Sequence, residues 1–183
     1  MPPRVQSVLL LLLALAVVVL AGQNRSLRAA WLESEGKRAA PEVGDRVVNA
    51  SWSGASDQPV TFPPLQPARP QVVYVFNSAC PYCLRSIPAI KTIASTLAGE
   101  GKVDFVGVSL SHPAETQAHM AQHQLSFPVL INERTFWAEA SRVRSVPTLM
   151  VLGTDLKISY LHQGAIDDDA TIATVLGAIR AAK

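Results

Sequence analysis

The chain has 183 residues, enough for one domain or for one domain with a tail. Hydrophobic residues make up 49% of it, which excludes a disordered chain, and two cysteines are too few for a disulfide-rich scaffold or a four-cysteine zinc site. The first 40 residues hold five basic and two acidic side chains, whereas the rest holds eleven basic and twelve acidic ones. This nearly neutral remainder offers no basic face to a phosphate backbone, so we do not expect nucleic acid as a partner.

The amino-terminal residues 5–22 read VQSVLLLLLALAVVVLAG, in which only Gln6 and Ser7 are polar. As a helix this run would span about 27 Å, close to the thickness of a hydrocarbon core. We favour an uncleaved transmembrane anchor over a cleaved secretory signal, because Val19 and Leu20 fit a small-residue cleavage pattern poorly. Both interpretations send the rest of the chain out of the cytoplasm. The expected organisation is a signal-anchor helix over residues 1–22, a linker over 23–42 and a globular domain over 43–183.

The globular part alternates predicted strands and helices. Continuous apolar runs predict buried strands, and apolar residues three or four apart predict helices. In chain order we expect edge strands Arg46–Trp52 and Val60–Phe62, strand Gln71–Asn77, helix Pro81–Leu97 stopped by Gly99 and Gly101, strand Val103–Leu110, helix Pro113–Gln124, strand Phe127–Ile131, helix Thr135–Val143, strands Thr148–Leu152 and Lys157–Gln163, and helix Asp167–Ala182. This order predicts an α/β fold, a mixed sheet between layers of helices.

The two cysteines stand in Cys80-Pro81-Tyr82-Cys83, where the first buried strand gives way to a helix. Amides at a helix start favour a thiolate at Cys80, which predicts that Cys80 is the attacking sulfur. Cys83, three residues on, can then attack a mixed disulfide on Cys80 and release the partner. A structural bridge is less favoured, because so short a loop gains little stability, and half of a metal site is less favoured because no second cysteine pair exists.

Further motifs carry a resemblance to a known family: Val43-Gly44-Asp45, VVYVFNSACPYCLRSIPAI with its Pro88, VDFVGVSL, FPVLIN, Ser145-Val146-Pro147-Thr148 and Gly164. Over about residues 43–180 the chain resembles the thioredoxin superfamily and, within it, the membrane-anchored TlpA/ResA-type thiol–disulfide oxidoreductases. The resemblance implies a thioredoxin fold with an extra amino-terminal β-hairpin and a central inserted segment, preceded by one transmembrane or signal helix.

The resemblance also implies roles for individual residues. Pro147 would be cis and would lie against Cys80, and the exposed backbone of Val146 would pair with an extended client segment. Pro81 and Tyr82 would contact the client beside Cys80. The implied enzyme works on the extracytoplasmic side of the inner membrane and reduces cysteine pairs of exported proteins, for example before haem attachment or metal loading. Electrons would come from a membrane thiol carrier, and the Cys80–Cys83 disulfide would be the only redox group, with no metal or other cofactor.

The chain departs from the family around the cysteines. Ala79 replaces the usual Trp, and Tyr74 and Ser86 occupy the two places where the family carries its proton-handling acid. Deprotonation of Cys83 must then depend on water or another group. The Pro-Tyr dipeptide is more typical of glutaredoxins, so a disulfide-introducing oxidase remains an alternative to the reductase.

Two other functions are weighed on particular residues. His119 and His123 are spaced to share a helix face and could join the cysteines in a thioredoxin-like copper chaperone, although a polar helix face is the favoured interpretation. A peroxidase is disfavoured, because the positions seven and three residues before Cys80 hold Val73 and Asn77 rather than Pro and Thr or Ser. The acidic run Asp167–Asp169 is interpreted as a helix cap rather than a metal site.

Overall fold

The computed structural model describes residues 13, 16–17, 19–28, 40–48, 50–53, 59–62, 68–131 and 136–182. The chain divides into two compact units, Met1–Ala39 and Ala40–Lys183. Residues 19–28 are helical, but much of the apolar run at 5–22 and of the linker lies outside the described residues. Within the described ranges, no helix combines the length and the apolar character needed to cross a membrane.

The second unit contains seven strands and four helices among its described residues. They are β1 (Ala50–Ser53), β2 (Pro59–Phe62), β3 (Gln71–Phe76), α1 (Pro81–Glu100), β4 (Asp104–Ser109), α2 (Pro113–His123), β5 (Val129–Ile131), α3 (Phe136–Ala140), β6 (Thr148–Leu152), β7 (Ile158–Gln163) and α4 (Asp169–Ala181). The main sheet has the order β5-β4-β3-β6-β7, in which β3, β4 and β5 are parallel while β6 runs antiparallel to β3 and β7. The predicted mixed α/β sheet is confirmed. Strands β1 and β2 form a separate antiparallel pair, and its assignment as the family's extra hairpin stays a prediction.

The central strand β3 is buried along its whole length, as its apolar run predicts. Because side chains alternate along a strand, Val72, Tyr74 and Phe76 pack in one core with residues of α1 and α4. Val73 and Val75 pack in a second core on the other face, which includes residues of α3. Helices on both faces therefore hold the end of β3, and the cysteines that follow it, in a fixed position.

Two helix ends differ from their prediction by three residues. Helix α1 runs through Gly99 and ends at Glu100, and the capping residue Gly101 is left-handed (φ 64°) and donates its N–H to the carbonyl of Leu97. A single interior glycine costs a helix about 1 kcal/mol, which a 20-residue packed helix tolerates. Helix α3 stops at Ala140, before the predicted Val143, because Arg142 adopts a left-handed conformation (φ 58°) that turns the chain.

Two further side chains stabilise helices α3 and α4 by hydrogen bonds. Trp137 is almost fully buried and its indole N–H donates to the carbonyl of Val48 at 2.7 Å. The carboxylate of Asp168 accepts from the backbone N–H of Thr171 at 2.7 Å and from its hydroxyl at 2.6 Å. The predicted cap on helix α4 is thus confirmed.

Candidate active site

Cys80 lies at the carboxyl end of β3 and caps the amino terminus of α1. A tight turn brings it there: its N–H donates to the carbonyl of Asn77 at 3.1 Å, and the side-chain oxygen of Asn77 accepts from the N–H of Ala79 at 2.9 Å. Cys80 has extended backbone angles (φ −77°, ψ 120°) and Pro81 is the first helical residue. Proline suits that position, because the N–H it lacks would have no partner within the helix.

The two cysteines are free thiols with unlike surroundings. Cys80 is half-buried. Burial raises the pKa of its thiol, but hydrogen bonds from the N–H of Cys83, from the Cys83 thiol and from the N–H of Tyr82 outweigh this and lower the pKa below its ordinary value. The amides of the first helical turn are therefore the main stabilisers of a Cys80 thiolate, as the sequence predicted.

Cys83 is 1% exposed, and its pKa shifts in the opposite direction to that of Cys80. Burial, together with the neighbouring Cys80, raises the pKa of the Cys83 thiol to about 12. The backbone N–H of Asn77 and the hydroxyl of Tyr74 act in the other direction, but they do not offset the burial. At neutral pH the pair thus consists of an accessible thiol that ionises more readily than an ordinary cysteine and a buried thiol that stays protonated.

The loop before β6 lies against the accessible sulfur. The Cys80 thiol donates to the carbonyl oxygen of Val146 at 3.6 Å, across 66 residues of sequence. The Val146–Pro147 peptide bond is cis. The Pro147 carbonyl accepts from the N–H of Gly164 at 2.9 Å, and Gly164 has a positive φ of 104°. The structure therefore brings Cys80, Cys83 and the Val146–Pro147 loop to one place.

The surface beside Cys80 is apolar and open. Pro81 is exposed, the Tyr82 side chain is 55% exposed, and Leu84 is 40% exposed. The guanidinium of Arg85 lies 4.8 Å from the centre of the Tyr82 ring, within the range of a cation–π contact. The predicted client-contact residues Pro81 and Tyr82 are thus both on the surface next to the nucleophile.

Behind Cys83 lie the two residues that replace the family's acid. Tyr74 is 3% exposed, and its hydroxyl lies beside the Cys83 thiol and the Ser86 hydroxyl without a hydrogen bond of good geometry to any described residue. Burial, followed by the proximity of Cys83, raises the pKa of Tyr74 far above its usual range. In the sequence, both positions stand out only as places where the expected carboxylate is missing. This contact could have been predicted from side-chain periodicity. Tyr74 shares a strand face with Phe76, and Ser86 lies one helical turn after Cys83.

The histidines do not join the thiols in a metal site. His119 is buried, with its ring 5.5 Å from that of Phe76 and 4.6 Å from that of His123, measured between centres. Burial, and then the charge of His123, lower the pKa of His119. In the part of the chain that the structure describes, no group of three or more His, Cys, Asp and Glu side chains could hold a metal ion.

The comparisons with known proteins agree with this geometry. The Redoxin family profile matches residues 42–177, and the chain belongs to that family. Family membership and the two thiols at the strand–helix junction define a thioredoxin-like oxidoreductase. No curated protein sequence matches the chain.

Solved structures share the fold at low sequence identity. StoA from Bacillus subtilis is 14% identical, with a TM-score of 0.59 over 72% of this chain and 96% of its own. A secreted Mycobacterium tuberculosis disulfide oxidoreductase, homologous to Escherichia coli DsbE, is 18% identical, with a TM-score of 0.61 over 72% and 95%. Peroxidoxin BcpB from Mycobacterium tuberculosis is 20% identical, with a TM-score of 0.65 over 78% and 99%.

Proposed function

We propose that this protein exchanges disulfides with protein clients, using Cys80 as the nucleophile and Cys83 as the resolving thiol. The observation that carries the proposal is the contrast between the two sulfurs: Cys80 is accessible and its pKa is lowered, whereas Cys83 is buried and its pKa is about 12. In such a pair one defined sulfur attacks the client, and the other stays protonated until the resolving step.

Two steps complete the reaction. The Cys80 thiolate attacks one sulfur of a client disulfide, which forms a mixed disulfide and releases the client's other sulfur as a thiolate. Cys83 then loses its proton and attacks the sulfur of Cys80, forming the Cys80–Cys83 disulfide and freeing the second client sulfur. Two electrons pass from this protein to the client, and the client's two thiolates take up protons from water.

Client recognition is proposed at the surface around Cys80. An extended client segment would lie along the backbone of Val146 and be placed against Cys80 by Pro147, while Pro81 and Tyr82 would contact its side chains. The exposed apolar side chains of Tyr82 and Leu84 support this, because apolar surface beside a reactive sulfur favours a polypeptide over a small polar substrate.

Trapping with a resolving-cysteine variant tests the mechanism. Cys83→Ser is expected to hold its client as a mixed disulfide on Cys80, visible on non-reducing gels and identifiable by mass spectrometry. The matched control is Cys80→Ser, which keeps the buried thiol but removes the proposed nucleophile and should trap nothing. Equal trapping by both variants would overturn the assignment of roles.

The direction of electron flow is proposed to be reductive, with a membrane thiol carrier as the electron donor. Exported proteins with cysteine pairs, such as those awaiting haem or metal, are the proposed clients. The Cys80–Cys83 reduction potential decides between this and an oxidase: a value near thioredoxin's, about −270 mV, supports a reductase, and one near −120 mV supports an oxidase.

The location is proposed to be the extracytoplasmic side of the inner membrane, on a single amino-terminal anchor. The apolar run at residues 5–22 supports the anchor, and the description of the Mycobacterium tuberculosis neighbour as secreted supports the extracytoplasmic side. In a bacterial host, the full chain should sediment with membranes and be cleaved by protease added to spheroplasts. A chain that begins after residue 22 and lacks a signal should do neither.

A further inference from the structure

We propose that the Tyr74 hydroxyl is the hydrogen-bond donor for the second step, donating a hydrogen bond to the Cys83 sulfur as that sulfur becomes a thiolate. The inference rests on the proposed exchange function and deepens it, because it assigns a group to the step for which the site has no carboxylate. Tyr74 acts as a neutral donor and keeps its own proton throughout.

The first observation is an unpartnered polar atom in a dry place. Tyr74 is 3% exposed on the central strand, yet its hydroxyl makes no hydrogen bond of good geometry with the described residues. A buried hydroxyl without a partner costs about 1–3 kcal/mol. The hydroxyl points to the side of the sheet that holds Cys83. The unpartnered hydroxyl therefore lies beside the sulfur that must become negatively charged.

The second observation concerns Ser86, the other polar group at this point. Its hydroxyl proton is donated to the carbonyl of Tyr82 at 2.9 Å, and its oxygen accepts from the N–H of Ile166 at 2.9 Å. Ser86 therefore has no proton left for Cys83. The Tyr74 proton can be directed either to the Ser86 oxygen or to the sulfur, and a charged acceptor binds a hydroxyl proton more strongly than a neutral one.

The chemistry of the second step needs such a donor. When the proton of Cys83 leaves to water, the negative charge develops in a buried site, where burial opposes it. The thiolate then attacks the Cys80 sulfur of the mixed disulfide, the new Cys80–Cys83 bond forms, and the old bond's electron pair leaves on the client sulfur. A donated hydrogen bond stabilises the thiolate before and during this attack.

Among the residues that the structure describes, few other titratable groups lie around Tyr74. Cys80 and Cys83 face it from α1, and His119 of α2 stacks on Phe76, whose ring is 5.5 Å from that of Tyr74. The neighbouring strands β4 and β6 place Gly107 and Leu149 opposite Tyr74. From the side of α4, the core members are Ile166, Val175 and Ile179, which are apolar.

A two-phase titration of the reduced full chain with dithiobis(nitrobenzoate) separates the steps. The first equivalent of nitrothiobenzoate is released when Cys80 attacks the reagent, and the second when Cys83 resolves the mixed disulfide. In Tyr74→Phe the first phase is expected to stay within twofold of the wild type. Loss of a hydrogen bond to a charged group should reduce the population of the Cys83 thiolate by about 10- to 100-fold. The thiolate that does form is more nucleophilic, which offsets part of this loss, so the second phase should slow by about three- to tenfold.

Two readouts distinguish this role from a structural one. The second-phase rate of Tyr74→Phe should lie below the wild-type rate at every pH between about 6 and 9, with both rates rising with pH, because thiolate formation limits each. The free energy of unfolding should be unchanged or higher, since the variant removes a buried unpartnered hydroxyl. Tyr160→Phe on β7 is the matched control and should leave both phases unchanged.

The outcomes separate the two proposals. A slower second phase with an unaltered first phase supports the donor role. Equal second phases in Tyr74→Phe and wild type, or an equal slowing of both phases, would overturn it while leaving the exchange mechanism in place. A wild-type protein that releases only one equivalent, or none, would overturn the exchange function itself and the donor role with it.

Discussion

Selective alkylation of Cys80 is the sharpest test of the unequal thiols. With a pKa of about 12, Cys83 is ionised to about one part in 100,000 at pH 7, against about 3% for an unperturbed cysteine. A thiolate of higher pKa is intrinsically more nucleophilic, and over this difference in pKa its reactivity is higher by a factor of about 25–55. Cys83 should thus react about 55- to 125-fold more slowly than an ordinary thiol, even before its limited accessibility is counted.

Cys80 should react at least as fast as an ordinary cysteine, because its pKa is lowered and its sulfur is accessible. The fully reduced protein is treated with limiting iodoacetamide at neutral pH, and the modified cysteine is located by peptide mass spectrometry. The expected ratio of Cys80 to Cys83 modification is at least about 50. In urea sufficient to unfold the chain the ratio should fall to about one, because the contrast comes from the fold. A ratio near one in the folded protein would refute the reasoning.

Three further predictions concern the surrounding structure. Ser86→Ala leaves the N–H of Ile166 buried without an acceptor and should lower the free energy of unfolding by about 1–3 kcal/mol, measured by urea denaturation. Gly107→Ala would place a methyl group 2.9 Å from the Phe127 ring and should cost about 1–3 kcal/mol by overpacking, read as a lower Tm. Burial lowers the pKa of His119, so the unfolded chain binds a proton at this side chain more readily than the folded one. The stability that the neutral side chain contributes should therefore be lost as the pH falls below about 6.5. His119→Gln should reduce this pH dependence, measured by urea denaturation at a series of pH values.

The first two of these predictions each have a matched control. Ser95→Ala removes an exposed hydroxyl of the same helix and should lower the free energy of unfolding much less than Ser86→Ala. Gly177→Ala has open space around its new methyl group and should be neutral or stabilising, in contrast to Gly107→Ala. Equal losses in either pair, or an unaltered pH dependence in His119→Gln, would contradict the corresponding explanation.

Features with a local cause could be predicted from the sequence. The strand at Gln71–Phe76 follows from a continuous apolar run, and helix α1 follows from apolar residues at helical spacing after Cys80 and Pro81. The cap at Asp168 follows from an acidic residue just before a helical pattern. The position of Cys80 at a helix start was therefore predictable, and with it the direction of its pKa shift.

Helix ends were less predictable, because they depend on which residue turns the chain. Gly99 and Gly101 are equally able to end a helix by composition, but only Gly101 adopts the left-handed conformation. Arg142 ends the turn after α3 although nothing in its residue type favours a positive φ. Small differences in packing decide such positions, and the local sequence does not carry them.

The amino-acid sequence alone determined the strand–helix junction, the two cysteines on one turn and the class of chemistry they can perform. Only the tertiary structure decided how the two sulfurs differ, because burial depends on contacts between residues far apart in sequence. Val146 reaches Cys80 across 66 residues, and Ile166 reaches Ser86, one helical turn after Cys83, across 80 residues. The free energy of a charge in a protein depends on what surrounds it in space, so spacing along the chain could locate the two thiols but could not assign their pKa values.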